Sequence, residues 1–300
     1  MNKLNNGNTI PSLCYGSAIV ETYKYSSSGI KAAFKYWTRN IIKDRNQLKK
    51  DIALPKAVQY CMDNGCNMFD TSRAYAGSEY SIGKILSKYK RDSYYIVTKL
   101  CNRDQYNGNI RGALQRSLKE LNVSYVDLYL MHWPVEGEYI KSWLQMEQLY
   151  KEGLCKAIGV CNCNVHHLEE IEKKAEIMPM VNQFECHPLF TQKELRDYCK
   201  KKNIQVMAYT STARMDERLK KTVLVPIAKK YNKSIAQIIL RWHQQVNNIP
   251  IVNSSNLEHL AENISIYDFN LTNEEIEKIE SININSRLRY DPDNCDFTQL

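Results

Sequence analysis

No stretch of this 300-residue sequence approaches the roughly 18 consecutive apolar residues that a membrane-crossing helix needs. The mean hydropathy of −0.51 agrees, and no membrane partner is expected. The opening MNKLNNGNTIPSL has no apolar signal core, so a cytosolic (cytoplasmic) location is the expectation. Glycine is sparse: there are 11, and none forms the GxGxxG turn or the P-loop spacing that doubly wound nucleotide-binding folds use. No Pro-, Gly- or Ser-rich linker divides the chain, which leads us to expect one domain over residues 1–300. The 10 cysteines make no Cys-x-x-Cys pair and read as reduced thiols. Cys161-x-Cys163 followed by His166 and His167 has poor spacing for zinc, so no metal is expected.

What is present is core-forming. With 43% hydrophobic and 25% charged residues, a chain of this length buries a large core, which excludes disorder. Leu4 to Ile10 carries a hairpin signal, with Asn6-Gly7 as a two-residue turn. Short apolar runs then alternate with amphipathic ones. The strand candidates are Leu13 to Gly16, Cys66 to Asp70, Tyr94 to Thr98, Val126 to Met131, Lys156 to Val160, Met180 to Phe184, Gln205 to Tyr209 and Pro250 to Val252. From the second to the seventh they begin at 66, 94, 126, 156, 180 and 205, intervals of one strand-helix unit. Capping patterns at Thr191 to Glu194 and Thr272 to Glu275 mark two helix starts. Eight strands alternating with helices predict an α/β fold of the (β/α)8 TIM barrel type.

In such a barrel the chemistry lies where the strands end. Asp70 closes the second strand, Lys99 follows the third, His132 follows the fourth, and Tyr75 lies in the loop after Asp70. Singly, each has a structural reading: a buried Asp70–Lys99 ion pair, a packing histidine, one of 20 tyrosines. Their joint placement on one rim favours chemistry. A lysine ammonium would lower the tyrosine pKa, an aspartate would hold that lysine, and a neutral histidine can orient a carbonyl oxygen. That set suits reduction of an aldehyde or ketone, with Tyr75 as general acid.

The sequence resembles the aldo-keto reductase superfamily along nearly its whole length. The resemblance is carried by Phe69 to Tyr75 with Gly77 to Glu79, Val97 to Lys99, Val126 to Pro134, Ala157 to Asn162, Val181 to Glu185, and Asn253 to Ser255 leading to Glu262 and Asn263. It implies a barrel that uses NADP(H) without a Rossmann domain, and a catalytic tetrad of Asp70, Tyr75, Lys99 and His132. It also implies that Asn162 and Gln183 hold the nicotinamide carboxamide and that Tyr209 stacks on its ring. Ser254, Ser255, Glu262 and Asn263 match positions for the adenosine half. Two departures stand out: Asn253 and His259 occupy positions where the family carries lysine and arginine against the 2′-phosphate. Two lost charge-assisted contacts, about 1.5–3 kcal/mol each, would make NAD(H) a usable cofactor. The pyrophosphate clasp is altered as well, to Thr210, Ser211, Thr212 and Ala213, with Thr210 and Thr212 able to donate hydroxyls.

The net charge of +8 is uneven, with a +6 excess in residues 21–50. Against the family this is an insertion at about 20–52, after the first strand. Ile30, Ala33, Phe34, Trp37 and Ile41 follow helical spacing and predict an amphipathic lid. Lys35, Trp37 and Arg39, with Trp133, are the substrate-side candidates, and the lid's charge points to an anionic or sugar-linked carbonyl compound. The expected partner is thus a small-molecule carbonyl substrate, with no nucleic acid and no oligomeric state assigned. The alternative is a cofactor-binding regulatory subunit with little turnover.

Overall fold

The computed structural model describes residues 1–18, 45–75 and 77–299. The lid helix expected around Ile30 to Ile41, with Lys35, Trp37 and Arg39, lies outside these residues. So does most of the insertion.

The chain opens with a hairpin of β1 (Asn2–Lys3) and β2 (Thr9–Ile10). Its turn is longer than the expected two-residue form. Leu4 N donates to Asn8 O and Gly7 N to Leu4 O, leaving a three-residue loop with Gly7 at φ 86°, a backbone glycine adopts freely. Leu4 and Ile10 are buried, and the Asn5 and Asn8 amides bond the carbonyls of Pro179 and Lys156, just ahead of barrel strands. The hairpin therefore covers the barrel's N-terminal end and leaves the other end for chemistry.

Eight parallel strands follow: β3 (Cys14–Gly16), β4 (Met68–Asp70), β5 (Tyr95–Leu100), β6 (Leu128–Met131), β7 (Ile158–Cys161), β8 (Val181–Glu185), β9 (Gln205–Tyr209) and β10 (Asn248–Val252). They pair in sequence order and β10 closes on β3, which makes the expected (β/α)8 barrel. Every residue of β6, β7, β8 and β10 is buried, as continuous strands covered on both faces require. One boundary correction bears on the site: β5 runs to Leu100, so Lys99 lies inside the strand rather than after it.

The described helices are α1 (Arg45–Asp63), α2 (Ser78–Leu86), α3 (Asn102–Tyr106), α4 (Ile110–Leu121), α5 (Tyr139–Lys151), α6 (Val165–Glu172), α7 (Lys193–Lys201), α8 (Leu224–Tyr231), α9 (Ile235–Gln245), α10 (Leu257–Ile264) and α11 (Asn273–Glu280). None is long and apolar enough to cross a membrane. The α11 capping box forms as expected: Glu275 N donates to Thr272 Oγ1 at 3.2 Å and Thr272 N to Glu275 Oε2 at 2.8 Å. The expected Thr191 cap does not form, because α7 starts from Gln192 in a left-handed conformation. Other bonds claim Thr191 instead: its N–H donates to the distant Asn283 side chain, and its carbonyl accepts from Arg196 of α7. After α11, residues 281–299 return across the rim at the strands' C-terminal ends.

Candidate active site

The site is built around a buried charge. Lys99 Nζ lies 2.7 Å from both carboxylate oxygens of Asp70 and 2.9 Å from Thr71 O, so all three ammonium protons are used. Burial pulls the ammonium pKa down, but Asp70 and the Tyr75 phenol overcome this and the net direction is up. Gln183 Nε2 donates to Asp70 Oδ1 at 2.9 Å, bringing a group from β8 onto the same carboxylate.

Tyr75 projects from the loop between β4 and α2. Its N–H bonds Ser72 O at 2.9 Å, and the neighbouring Arg73 reaches Asp104 of α3 at 3.4 Å, which anchors the loop. The Tyr75 ring centroid is 5.0 Å from Lys99 Nζ and 5.7 Å from the His132 ring, edge-on at 82°. The sequence predicts a lowered tyrosine pKa, and here the structure differs. Burial raises it, and the opposing pull of Lys99 only limits the rise. The phenol therefore keeps its proton across the neutral range, as a donor must.

His132 is held neutral, its pKa pushed down to about 3 by burial and then by the nearby cations Lys99 and Arg289. Ser72 Oγ accepts the Ala74 N–H at 3.1 Å and lies 3.4 Å from His132 Nδ1; the tautomer in which Ser72 donates to Nδ1 carries the ring proton on Nε2. Asn162 Nδ2 bonds the His132 carbonyl at 3.0 Å, and Tyr209 OH donates to Asn162 Oδ1 at 2.6 Å. The ends of β4 to β9 thus bring Asp70, Tyr75, Lys99, His132, Asn162, Gln183 and Tyr209 into one connected network.

Around the same rim, Thr210 follows β9 at φ 51° and Ala213 sits at φ 49°, a conformation that explains why a glycine would be at ease there. Asn253, Ser255, His259 and Glu262 are exposed around the start of α10, with Ser254 and Asn263 half-buried. Trp133 packs on His132 at 6.4 Å and on Phe297 at 6.1 Å. His166 and His167 meet Asp293 rather than Cys161 and Cys163, which are buried. His167 Nδ1 accepts the Asn164 N–H at 3.1 Å, so its Nε2 carries the proton and offers no lone pair to a metal.

Sequence reasoning missed the C-terminal segment. The buried Glu185 carboxylate accepts the N–H groups of Leu288 at 2.7 Å and Arg289 at 3.0 Å, and the His187 ring sits 2.9 Å from it. The position of Glu185, last in β8, was the available signal. Its partners lie a hundred residues on, in a stretch with no periodic pattern.

The sequence model of the Aldo/keto reductase family matches residues 41–284. A glyoxal reductase of Bacillus subtilis (strain 168) is 43% identical over 243 residues, 81% of this chain and 88% of its own. Methylglyoxal reductase DkgA of Escherichia coli (strain K12) is 37% identical over 79% of this chain and 87% of its own. Among solved structures, the Bombyx mori aldo-keto reductase in complex with NADP superposes with a TM-score of 0.82 at 29% identity, covering 97% of this chain and 95% of that one. Likeness of this extent in both sequence and barrel shows that the chain belongs to the aldo/keto reductase family.

Proposed function

We propose that this chain reduces the carbonyl of small 2-oxoaldehydes with NADP(H), and that Tyr75 is the proton donor. The observation that carries the reading is the Tyr75 phenol held protonated between Lys99 and His132. The glyoxal and methylglyoxal reductases among the relatives support the substrate class, and the NADP complex of the Bombyx mori relative supports the cofactor.

The residues present fit a nicotinamide dinucleotide. Asn162 uses one amide proton on His132 O, and Gln183 uses one on Asp70, which leaves an N–H and a carbonyl oxygen for a carboxamide. Tyr209, half-buried beside them, offers its ring face. The start of α10, with Ser254 and Ser255 next to it, is suited to phosphate. When bound, the nicotinamide supplies the hydride.

The protein's own part is binding, orientation and the proton. His132 Nε2–H donates to the substrate oxygen and fixes its direction. Tyr75 delivers its proton to that oxygen as negative charge develops on it. Lys99, fixed by Asp70, stabilises the phenolate left behind and prepares its reprotonation. Trp133, packed against the His132 ring, forms the wall of the site on that side. NAD(H) is read as a usable second cofactor, since Asn253 and His259 supply no strong cation and the exposed Glu258 in the first turn of α10 adds an opposing charge. The described barrel supports reading residues 1–300 as one domain. Ten free thiols support a reducing, cytoplasmic setting.

The test is loss of NADPH absorbance by the purified protein with methylglyoxal. Turnover dependent on both compounds supports the reading. A protein that binds NADPH but oxidises none with any aldehyde is the regulatory subunit of the alternative.

A further inference from the structure

We propose that Ser78 is a positioning residue for proton transfer, its hydroxyl and its N–H together fixing Tyr75 against Lys99. This rests on the reading of Tyr75 as proton donor and names the residue on which that donor's geometry depends.

Ser78 opens α2, and its hydroxyl is buried together with those of Ser17 and Thr71. Each hydroxyl has one proton to give. Ser17 Oγ gives its proton to the Asp70 carbonyl at 2.9 Å, so in its 2.6 Å contact with Ser78 Oγ the proton comes from Ser78. Ser78 Oγ in turn accepts the Thr71 hydroxyl at 2.8 Å. The order is therefore Thr71 to Ser78 to Ser17 to the Asp70 carbonyl, which also takes the Ser17 N–H at 2.8 Å. Hydrogen bonds linked in this way polarise and strengthen one another.

Both ends of the chain lie on residues that grip Lys99. Asp70 holds the ammonium through its carboxylate at 2.7 Å, and Thr71 holds it through its carbonyl at 2.9 Å. The Ser78 backbone reaches the other partner: its N–H donates to Tyr75 O at 2.7 Å and closes the turn that carries the phenol. Next in sequence, Glu79 accepts the Thr98 hydroxyl at 2.6 Å, which ties α2 to β5 beside Lys99 as well. Ser78 thus joins the mount of the ammonium to the mount of the phenol, and the 5.0 Å between Lys99 Nζ and the Tyr75 ring is set through it. Packing alone does not call for hydroxyls here, since alanine at 78 and valine at 71 would fill the same space without burying polar atoms.

The test compares wild type with Ser78→Ala, Thr71→Val, the two combined, and Thr272→Ala, which removes the α11 cap and touches none of this chain. Single-turnover oxidation of NADPH by methylglyoxal should slow about 10- to 100-fold in Ser78→Ala and about 3- to 10-fold in Thr71→Val, with NADPH affinity within about twofold of wild type. The combined variant should lose no more than Ser78→Ala alone, because one break already opens the chain. Thr71→Val keeps the shape of its side chain and carries the test if Ser78→Ala does not fold. With tyrosine carbon-13-labelled at Cζ, the Tyr75 resonance, assigned by its loss in Tyr75→Phe, should move in Ser78→Ala and Thr71→Val and stay in place in Thr272→Ala. This readout needs no turnover: a wild-type protein that reduces no aldehyde would defeat the carbonyl-reduction reading, while the resonance still decides whether Ser78 positions Tyr75. Wild-type rates with an unmoved resonance overturn the proposal. An equal loss in Thr272→Ala also overturns it, since the effect would then be one of stability, as do losses that multiply in the combined variant.

Discussion

Lys99 and Asp70 form a closed pair: the ammonium touches both carboxylate oxygens at 2.7 Å, and its side chain has no solvent exposure. A charge so placed cannot lose its partner cheaply. Lys99→Met leaves Asp70 buried and uncompensated and should cost about 3–5 kcal/mol, whereas Lys99→Met with Asp70→Asn should cost less than either single change predicts by addition. Urea unfolding of the four proteins checks this. Strict additivity would show that the pair is not coupled in solution.

Coenzyme choice is the second expectation. Asn253 and His259 are exposed at the start of α10, beside the acidic Glu258. The double change Asn253→Lys with His259→Arg should raise preference for NADPH over NADH by about two to four orders of magnitude if both contacts form. Binding titrations with both dinucleotides measure it. A wild-type protein that already binds NADPH about a thousandfold tighter would show that another cation supplies the contact.

The third concerns acid stability. His243 is fully buried, with Nε2 at 3.0 Å from Ser211 O and Nδ1 at 3.3 Å from the Asn248 amide. Burial pulls its pKa down to about 3, against a modest opposing pull from the Ser211 carbonyl. The unfolded chain therefore binds a proton that the fold refuses, and the stabilisation, complete above pH 6.5, is lost as pH falls toward 3. Chemical unfolding between pH 6.5 and 5 should show stability falling by up to about 1.4 kcal/mol per pH unit from this group, with a shallower slope in His243→Gln. Equal slopes would mean that the ring is not the proton acceptor.

The barrel was legible because its strands are covered on both faces and are largely apolar, with β9 read from Gln205 to Tyr209 at its observed bounds. Polar residues breaking those runs at Asp70, Lys99 and His132 marked the rim. What sequence could not show depends on contacts distant in the chain. Thr191 had the local chemistry of a cap but was taken by Asn283, 92 residues on. Tyr75 had the lysine that should lower its pKa, but the desolvation that outweighs that lysine is a property of the packed rim. Arg289 belongs to a stretch with no period, placed by a bond to Glu185, 104 residues away.

The central claim is that Tyr75 gives up the proton. Tyr75→Phe keeps the ring against His132 and Lys99 and removes only the hydroxyl, so NADPH binding should persist. The decisive measurement is the single-turnover rate of NADPH oxidation by methylglyoxal in this variant, with NADPH affinity titrated alongside. The account predicts a rate at least about 10² to 10⁴ lower than wild type at near-normal NADPH affinity. A folded Tyr75→Phe protein that oxidises NADPH at the wild-type rate would contradict it.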